Sequence, residues 1–383
     1  MFLQIDEAHS NFLAGYGATS AEIAELLTYT QNIFSYPKLA ELPPFPLASE
    51  PHIASWERYY SQAQNVGAFK ALRLALVQLQ FPIKKGISQT DNYRAATRKG
   101  YLTEGMAEAT GLELEKPKEL QLIIHQTLAG TIPVIIAECR ADFVSLVQAL
   151  TKRNEPEQIP ESMGATIVAG FNNWERIRYY RQEWEVKQMP PATNADWQAE
   201  FQDIKRQKHL YQDCFIILSR GNYSAIPAAE IGIDEEEWLR LSLIIRLEHE
   251  CCHYFSRRVF GSMRNNMLDE LIADYQGIVA ANGGRYRADW FLRFIGLESF
   301  PDYREGRRLQ NYRGQPPLSD GAFKILQILV KDAAENLEKF NIQHQVELKN
   351  SENQQNLLVN LMTINLLELA LDLNFKLKKD RPP

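Results

Sequence analysis

Apolar residues recur at helical spacing over much of the chain. In the first 110 residues this pattern covers 21–34 and 53–79, and a proline-rich stretch at 42–46 separates the two segments. Apolar positions three and four residues apart form one face of a helix, so the spacing predicts a mainly helical N-terminal segment, 1–110. The same spacing predicts further helices at 140–152, 234–257, 267–281, 322–340 and 357–375.

Short runs of aliphatic and β-branched residues replace the helical pattern in parts of 120–218. Residues 120–127 and 132–137 are two such runs, and residues 128–131 between them predict a hairpin turn. Residues 163–169 and 214–218 predict two more strands. The sequence therefore predicts an α+β fold, predominantly helical, with a small mixed or antiparallel sheet. The second domain, 111–383, is predicted to combine this sheet with the C-terminal helices.

The most informative pattern lies on the predicted helix 234–257, which is apolar around most of its circumference. Residues 249–253 read His-Glu-Cys-Cys-His, the HExxH motif. Residues four apart share a helix face, so His249 and His253 can bind one ion. Glu250 lies about 100° further round the helix, where it can reach a water beside that ion. The motif predicts a catalytic zinc site, because buried charged side chains are costly unless they are paired or bind a metal.

The next predicted helix, 267–281, supplies acidic residues. Glu270 and Asp274 are four residues apart and share one face, which small residues at 277 and 281 continue. Small residues on that face predict close packing against the histidine-bearing helix. Glu270 would complete a hydrolytic ligand set of two imidazoles and one carboxylate with one open position, and Asp274 would accept an N–H from a ligand histidine.

Other interpretations of these acidic residues and histidines stay open. Asp269 or Asp274 is an alternative third ligand, although only Glu270 has an acidic partner four residues further along the inward face. The histidine pair could also be two ordinary core histidines. The adjacent cysteines, Cys251 and Cys252, are predicted to be packing residues, because free cysteine is among the most buried residue types.

HExxH at 249–253, followed on the next predicted helix by ExxxD at 270–274, resembles the gluzincin group of zinc metallopeptidases, which includes the thermolysin-like enzymes. The resemblance implies a zincin-like domain with His249, His253 and Glu270 as zinc ligands. It further implies Glu250 as the general base and Asp274 as the partner of one histidine. A peptide or small amide would then be the substrate.

The chain departs from the gluzincin pattern in two respects. The spacing of 16 residues between His253 and Glu270 is slightly shorter than in the familiar members. No histidine occurs between His253 and His344, so a tyrosine would have to stabilise the oxyanion. The candidates are Tyr275, Tyr286, Tyr303 and Tyr312.

Two further segments, one on each side of the HExxH motif in the sequence, are candidates for contact with a substrate. The charged run 303–308, with Tyr312 and Arg313, is typical of a solvated loop, and contact with a substrate is the alternative. If residues 214–218 form an exposed edge strand beside a cleft, their backbone would bind an extended substrate.

Net charge, apolar segments and cysteine spacing exclude further classes of protein. The formal net charge is −6 without any block of basic residues, which argues against nucleic-acid binding. No secretory signal is recognisable, and no stretch approaches the roughly 20 apolar residues of a membrane span. The four cysteines lack CxxC spacing, as expected for reduced thiols. These features predict a cytoplasmic protein that binds neither nucleic acid nor membrane.

Two alternatives to a zinc peptidase follow from the same residues. The zinc-binding scaffold could serve a structural or regulatory protein without catalysis, since no family is recognised in residues 1–110. A hydrolase that acts on a non-peptide amide or on an ester would use the same ligand set.

Overall fold

The computed structural model describes residues 2–32, 34, 42–262 and 266–371. The chain packs into two units: a central unit, Phe45–Gly221, and a terminal unit that joins Met1–Pro44 to Asn222–Pro383. The domain boundary predicted at residue 110 therefore lies inside the central unit. The reason is that residues before and after it, such as Trp56 and Phe215, share one hydrophobic core.

The described residues form helices and strands that we number in chain order. The helices are α1 (Phe2–Gly15), α2 (Ser20–Tyr29), α3 (Ile53–Val66), α4 (Ala68–Ala75), α5 (Asp91–Lys99), α6 (Arg140–Thr151), α7 (Trp174–Lys187), α8 (Asn194–Arg206), α9 (Ala228–Ile231), α10 (Glu235–Phe260), α11 (Met267–Ala281), α12 (Ala288–Ile295), α13 (Asp320–Gln343), α14 (Ser351–Leu361) and α15 (Leu366–Leu371). The strands are β1 (Gln121–Thr127), β2 (Gly130–Ala137), β3 (Ala165–Asn172) and β4 (Gln212–Ser219).

The four strands form one mixed sheet in the order β1-β2-β4-β3. β1 and β2 form the predicted antiparallel hairpin, β2 pairs with β4 in parallel, and β3 pairs with β4 antiparallel. The α+β, predominantly helical fold class is thus confirmed. The predicted strand 214–218 is part of β4, which is paired on both sides, so the condition that it be an edge strand for binding a substrate is not met; β1 and β3 are the edges.

A buried ion pair links the sheet of the central unit to its helices. The carboxylate of Asp213 on β4 accepts hydrogen bonds from Arg176 Nη1 at 2.7 Å, Asn173 Nδ2 at 2.7 Å and Trp56 Nε1 at 2.9 Å. Burial raises the pKa of Asp213, although the positive charge of Arg176 acts in the opposite direction. The three donors offset part of the cost of burying this carboxylate.

Two antiparallel helices, α10 and α11, dominate the terminal unit. The carboxylate of Asp234 caps α10 by accepting the N–H of Glu237 at 2.9 Å, and the helix ends at Gly261 in the left-handed conformation. α11 has the predicted bounds and is capped by Asn266, whose side chain accepts the N–H of Asp269 at 3.1 Å. Both helix starts follow the preference for a short polar side chain at the N-cap.

The two helices approach each other closely at Gly277. A Cβ atom on this glycine would lie 2.6 Å from the backbone oxygen of Ile245 on α10. Only a residue without a side chain fits there, so the expected close packing through a small residue at 277 is confirmed.

The C-terminal helical pattern resolves into separate elements. α13 matches the predicted helix 322–340 with small extensions, whereas the predicted helix 357–375 is divided into α14 and α15. The division follows from Asn365, whose side chain accepts the N–H of Glu368 at 2.9 Å and thereby starts a new helix. The last residues of the predicted helix, 372–375, lie outside the described residues. No described helix is long and apolar enough to cross a membrane.

We expect Gly277→Ala to lower the free energy of unfolding by about 1–2 kcal/mol, because the clash with the Ile245 carbonyl outweighs the gain in helix propensity. Denaturant unfolding followed by circular dichroism measures the change. Gly15→Ala in α1 is the matched control, since a Cβ at Gly15 meets no atom within 4 Å. Wild-type stability in Gly277→Ala would contradict the close approach.

Candidate metal centre

α10 and α11 bring together three side chains that can each offer one ligand atom to a metal. These are His249, His253 and Glu270, whose ligand atoms all lie within 4.8 Å of one another. Nε2 of His249 is 3.0 Å from Nε2 of His253. Each of these nitrogens is 3.5 Å from one carboxylate oxygen of Glu270. All three residues are buried.

This triangle has the dimensions of one face of a zinc coordination tetrahedron. Zinc binds nitrogen and oxygen ligands at about 2.0–2.2 Å, which separates neighbouring ligand atoms by about 3.3 Å at tetrahedral angles. The observed separations of 3.0, 3.5 and 3.5 Å lie on either side of this value. The residues present therefore fit a zinc ion bound by two imidazoles and one carboxylate.

Each histidine has its own carboxylate on α11. Nδ1 of His249 is 2.8 Å from Oδ1 of Asp274, so its N–H donates to that carboxylate. Nδ1 of His253 faces Oδ2 of Asp269 at 3.3 Å, close enough for an ion pair and near the long limit of a hydrogen bond. Carboxylates in these positions fix the tautomer of metal-bound histidines and leave Nε2 free as the ligand atom.

The tautomer has an electrostatic consequence for the cluster. If only the Nδ1 atom of each histidine carries a proton, the lone pairs of two Nε2 atoms and the oxygens of Glu270 point toward one position. Acceptors that face each other in a buried site repel unless a cation or a proton lies between them. Burial favours the neutral form of His253, but the charges of Asp269 and Glu270 outweigh burial and raise the pKa of His253. A proton on its Nε2 therefore fills this role, and a metal ion would replace that proton. The metal assignment rests on the observed convergence of the three ligand atoms.

The structure places Asp274 against Nδ1 of His249, the contact that the sequence predicted, whereas the contact of Asp269 with His253 was missed. The i,i+4 rule pairs Glu270 with Asp274 and leaves Asp269 without an acidic neighbour on that face. In the structure Asp269 is 1% exposed and lies on the His253 side of Glu270. Its position directly before Glu270 was the available signal, since both carboxylates start the same helix.

Arg308 is the residue whose surroundings differ most from the sequence-based prediction. The solvated-loop expectation is wrong for this side chain, which is 10% exposed and starts the short 3-10 helix Arg308–Tyr312. Its Nη2 donates to Oε2 of Glu270 at 2.8 Å and lies 3.0 Å from Oδ2 of Asp274. The arginine thus holds two buried carboxylates of α11, a contact across more than 30 residues for which the sequence carries no local signal.

Tyr223 is a further hydrogen-bond partner of the Asp274 carboxylate. Its hydroxyl donates to Oδ1 of Asp274 at 2.5 Å, is 3.1 Å from Nδ1 of His249, and accepts from Nη1 of Arg308 at 3.2 Å. Burial raises the pKa of Tyr223, and the neighbouring Asp274 raises it further, so the hydroxyl stays protonated. Sequence reasoning missed this residue, which precedes α10 and lies in a short turn with Ser224.

The four tyrosines considered as oxyanion donors have different surroundings. Tyr312 borders the cluster: burial raises its pKa, and a hydrogen bond to Glu270 raises it further. Tyr275 accepts from Nδ2 of Asn341 at 3.1 Å, and Tyr303 donates to the backbone of Arg307 at 3.1 Å. The buried hydroxyl of Tyr286 has no hydrogen-bond partner in the described residues, so among the four only Tyr312 is hydrogen-bonded to a member of the cluster.

Glu250 differs from the other carboxylates of the site. It is 9% exposed, and within the described residues no hydrogen bond engages its side chain. Burial raises the pKa of Glu250, while the charges of His253 and His249 act in the opposite direction. A buried carboxylate with a raised pKa and no fixed partner is suited to accept and release a proton.

The pKa of Glu270 is shifted in the opposite direction from that of Glu250. Burial favours its neutral form, but hydrogen bonding with His253 and the charges of His249 and Arg308 outweigh this and lower the pKa of Glu270. Glu270 therefore stays ionised, as a metal ligand must. Cys251 and Cys252 are buried, and burial raises the pKa of both thiols, which agrees with their predicted role in packing.

Fold and site together define an α+β protein with a candidate metal centre between two antiparallel helices. The chain belongs to DUF7005, described as a family of unknown function, whose match covers residues 11–372. No curated protein and no solved structure matches the chain. The gluzincin resemblance stays a prediction, and the chemistry of the site carries the functional argument.

We expect Asp274→Asn and Asp269→Asn each to weaken zinc binding by about 10- to 100-fold, because each amide removes a carboxylate that orients a ligand histidine. Competition with a chromophoric chelator measures the affinity. Glu237→Gln, an exposed change at the start of α10, serves as the control and keeps wild-type affinity. Unchanged zinc affinity in both aspartate variants would contradict the roles assigned to these carboxylates.

Proposed function

We propose that this protein is a zinc-dependent metallohydrolase of gluzincin type that cleaves peptide or other amide bonds. The observation that carries the proposal is the triangle of His249, His253 and Glu270, in which three buried acceptors converge at tetrahedral spacing. Two neutral imidazoles and one carboxylate are the ligand set of hydrolytic zinc sites that keep a position open for chemistry.

Zinc bound at this triangle supplies a Lewis acid that polarises a carbonyl group and acidifies a water. In the proposed reaction Glu250 accepts a proton from the attacking water and passes it to the leaving amine. Its burial-raised pKa supports both steps, since the carboxylate takes up the proton readily and can then release it to a stronger base.

The remaining residues hold the reacting groups in position. Asp274 accepts the Nδ1–H of His249, and Asp269 lies 3.3 Å from Nδ1 of His253, so both carboxylates orient the Nε2 atoms of the histidines toward the zinc position. Arg308 fixes the carboxylate of Glu270 through Oε2. Tyr312 is our candidate for the hydroxyl that donates to the developing oxyanion, because its phenol stays protonated beside Glu270.

A peptide or a small amide is the proposed substrate, and the cytoplasm is the proposed location. The net charge of −6 and the absence of a basic block support a protein that does not bind nucleic acid. The absence of a membrane-spanning helix among the described residues is compatible with the same proposal.

One observation favours the non-catalytic alternative. Arg308 pairs with both Glu270 and Asp274, so the protein itself balances part of the buried negative charge. A structural or regulatory protein could keep such a cluster without turnover. X-ray absorption of the zinc-loaded protein separates the two: an exchangeable fourth position supports catalysis, and a fourth protein ligand supports the scaffold.

We expect purified wild-type protein to bind one zinc ion per chain, and His253→Ala and Glu270→Ala to lose it, because each substitution removes one of three ligands. Elemental analysis after dialysis measures the stoichiometry. His344→Ala, a change at a histidine that pairs with Glu347 away from the triangle, keeps its zinc. If both ligand variants retain stoichiometric zinc, the metal assignment is wrong.

We expect Glu250→Gln to bind zinc normally and to lose hydrolysis of a quenched-fluorescence peptide library by roughly 10²- to 10⁴-fold, the usual contribution of a general base. Glu237→Gln makes the same chemical change on the same helix and should leave the rate unchanged. Hydrolysis at the wild-type rate by zinc-loaded Glu250→Gln would rule out the proposed mechanism.

A further inference from the structure

A cavity of about 540 Å³ lies beside β3 in the central unit. The six consecutive residues 167–172 of the strand line one wall, and Arg98 at the end of α5 and Arg153 after α6 contribute to the rest. A strand rises about 3.3 Å per residue, so this wall follows roughly 20 Å of extended backbone. We call this cavity the β3 groove. A wall of this length suits an extended chain better than a compact ligand.

The free edge of β3 faces outward with unpaired backbone groups. The N–H of Ser219 donates to the carbonyl of Gly164 at 2.8 Å, which makes these two residues a hydrogen-bonded pair at the start of the ladder with β4. Hydrogen-bonded pairs alternate with pairs whose N–H and C=O point away from the partner strand. The register therefore turns the N–H and C=O of Ile167 and Ala169 to the free edge. No backbone partner within the described chain satisfies these groups.

A β-bulge limits how long a regular pairing on this edge can be. The register with β4 shifts between Ala169 and Phe171, and Gly170 between them has a positive φ of 74°. Bulges near an edge twist it and stop indefinite sheet growth. The edge can therefore accept a short strand without inviting open-ended association.

Two arginines give the groove its charge. No aspartate or glutamate is among the lining residues, and within the described residues neither Arg98 nor Arg153 forms an ion pair. Burial and the carboxylate of Glu155 raise the pKa of the phenol of Tyr93, another lining residue, whereas both guanidinium charges lower it. That carboxylate does not line the groove and accepts the backbone N–H groups of Gly86 and Ser88. The two cations thus converge on one part of the groove, and arginine is well suited to bind carboxylates.

The backbone at Arg153 is held in a costly conformation. Arg153 and Asn154 have φ values of 56° and 59°, in the left-handed region that non-glycine residues rarely adopt. The buried side chain of Asn154 secures them: its Nδ2 donates to Gln78 O and Phe81 O, each at 3.0 Å, and its Oδ1 accepts from Tyr93 OH at 3.0 Å. A strained backbone conformation that buried hydrogen bonds hold in place is found preferentially at functional sites.

We propose that the β3 groove binds an extended polypeptide segment with acidic side chains, which adds to the sheet as a strand beside β3. The outward backbone groups of Ile167 and Ala169 pair with the segment, and Arg98 and Arg153 bind its carboxylates. Every residue of this site lies in the central unit and none belongs to the metal centre. The proposal is therefore independent of the proposed hydrolase activity.

The test uses the full chain and two fluorescein-labelled nonapeptides, one alternating threonine or valine with glutamate and one with glutamine in place of every glutamate. We expect saturable fluorescence anisotropy with the glutamate peptide and at least tenfold weaker binding of the glutamine peptide. The double variant Arg98→Glu/Arg153→Glu should weaken binding of the glutamate peptide at least tenfold. Lys205→Glu/Arg206→Glu on α8 is the matched control, with the same charge change on exposed residues, and should keep most of the affinity.

Ala169→Pro tests the backbone part of the proposal separately. Proline removes one outward N–H and is tolerated on edge strands, so we expect weaker binding with little change in melting temperature. Several results would overturn the proposal: no saturation at millimolar peptide, equal binding of the glutamine peptide, or equal losses in the groove and α8 double variants. Displacement of the peptide by inorganic phosphate below the peptide's own Kd would identify a small-anion pocket and would also overturn it.

Discussion

The close approach of α10 and α11 is the constraint on which the candidate metal centre depends. At Gly277 the two backbones come so near that a Cβ atom would touch the carbonyl of Ile245. Aspartate side chains are short, and Asp269 and Asp274 reach the histidines of α10 only because the helices lie this close. A glycine outside the site therefore decides whether its donors and acceptors can meet.

Charge balance explains why the cluster needs more than its ligands. Four carboxylates, those of Glu250, Asp269, Glu270 and Asp274, are buried around two histidines. Arg308 neutralises part of this charge through Glu270 and Asp274, and a bound cation would neutralise more. Arg308 contacts Oε2 of Glu270 and Oδ2 of Asp274, whereas Oε1 of Glu270 faces Nε2 of His253 at 3.5 Å, so the carboxylate of Glu270 lies between the arginine and the histidines. Such a supporting shell holds ligands in place before a metal arrives.

In the central unit, local sequence patterns predict the strands, and contacts between residues far apart in sequence determine how the strands and helices pack. Alternating and aliphatic runs were sufficient to predict the strands and the β1–β2 hairpin, since strand and turn preferences are local. They could not predict that helices before residue 110 share a core with the sheet, because Trp56 and Phe215 are far apart in sequence and meet only in the folded chain, with ring centroids 4.8 Å apart. Strand order is equally non-local, and it made β4 an inner strand.

The sequence by itself determined the bounds of α11 and the pairing of His249 with His253 on one face of α10, because HExxH and the i,i+4 rule describe geometry within single helices. Packing of α11 against α10 brought Glu270 to the two histidines. Only the tertiary structure decided which side chains support them. Arg308 and Tyr223 reach Asp274 across 34 and 51 residues of sequence, and no periodic pattern encodes such contacts. Asp269 lay within the predicted helix, yet its pairing with His253 depends on how α11 is rotated against α10, which packing sets and helical spacing does not.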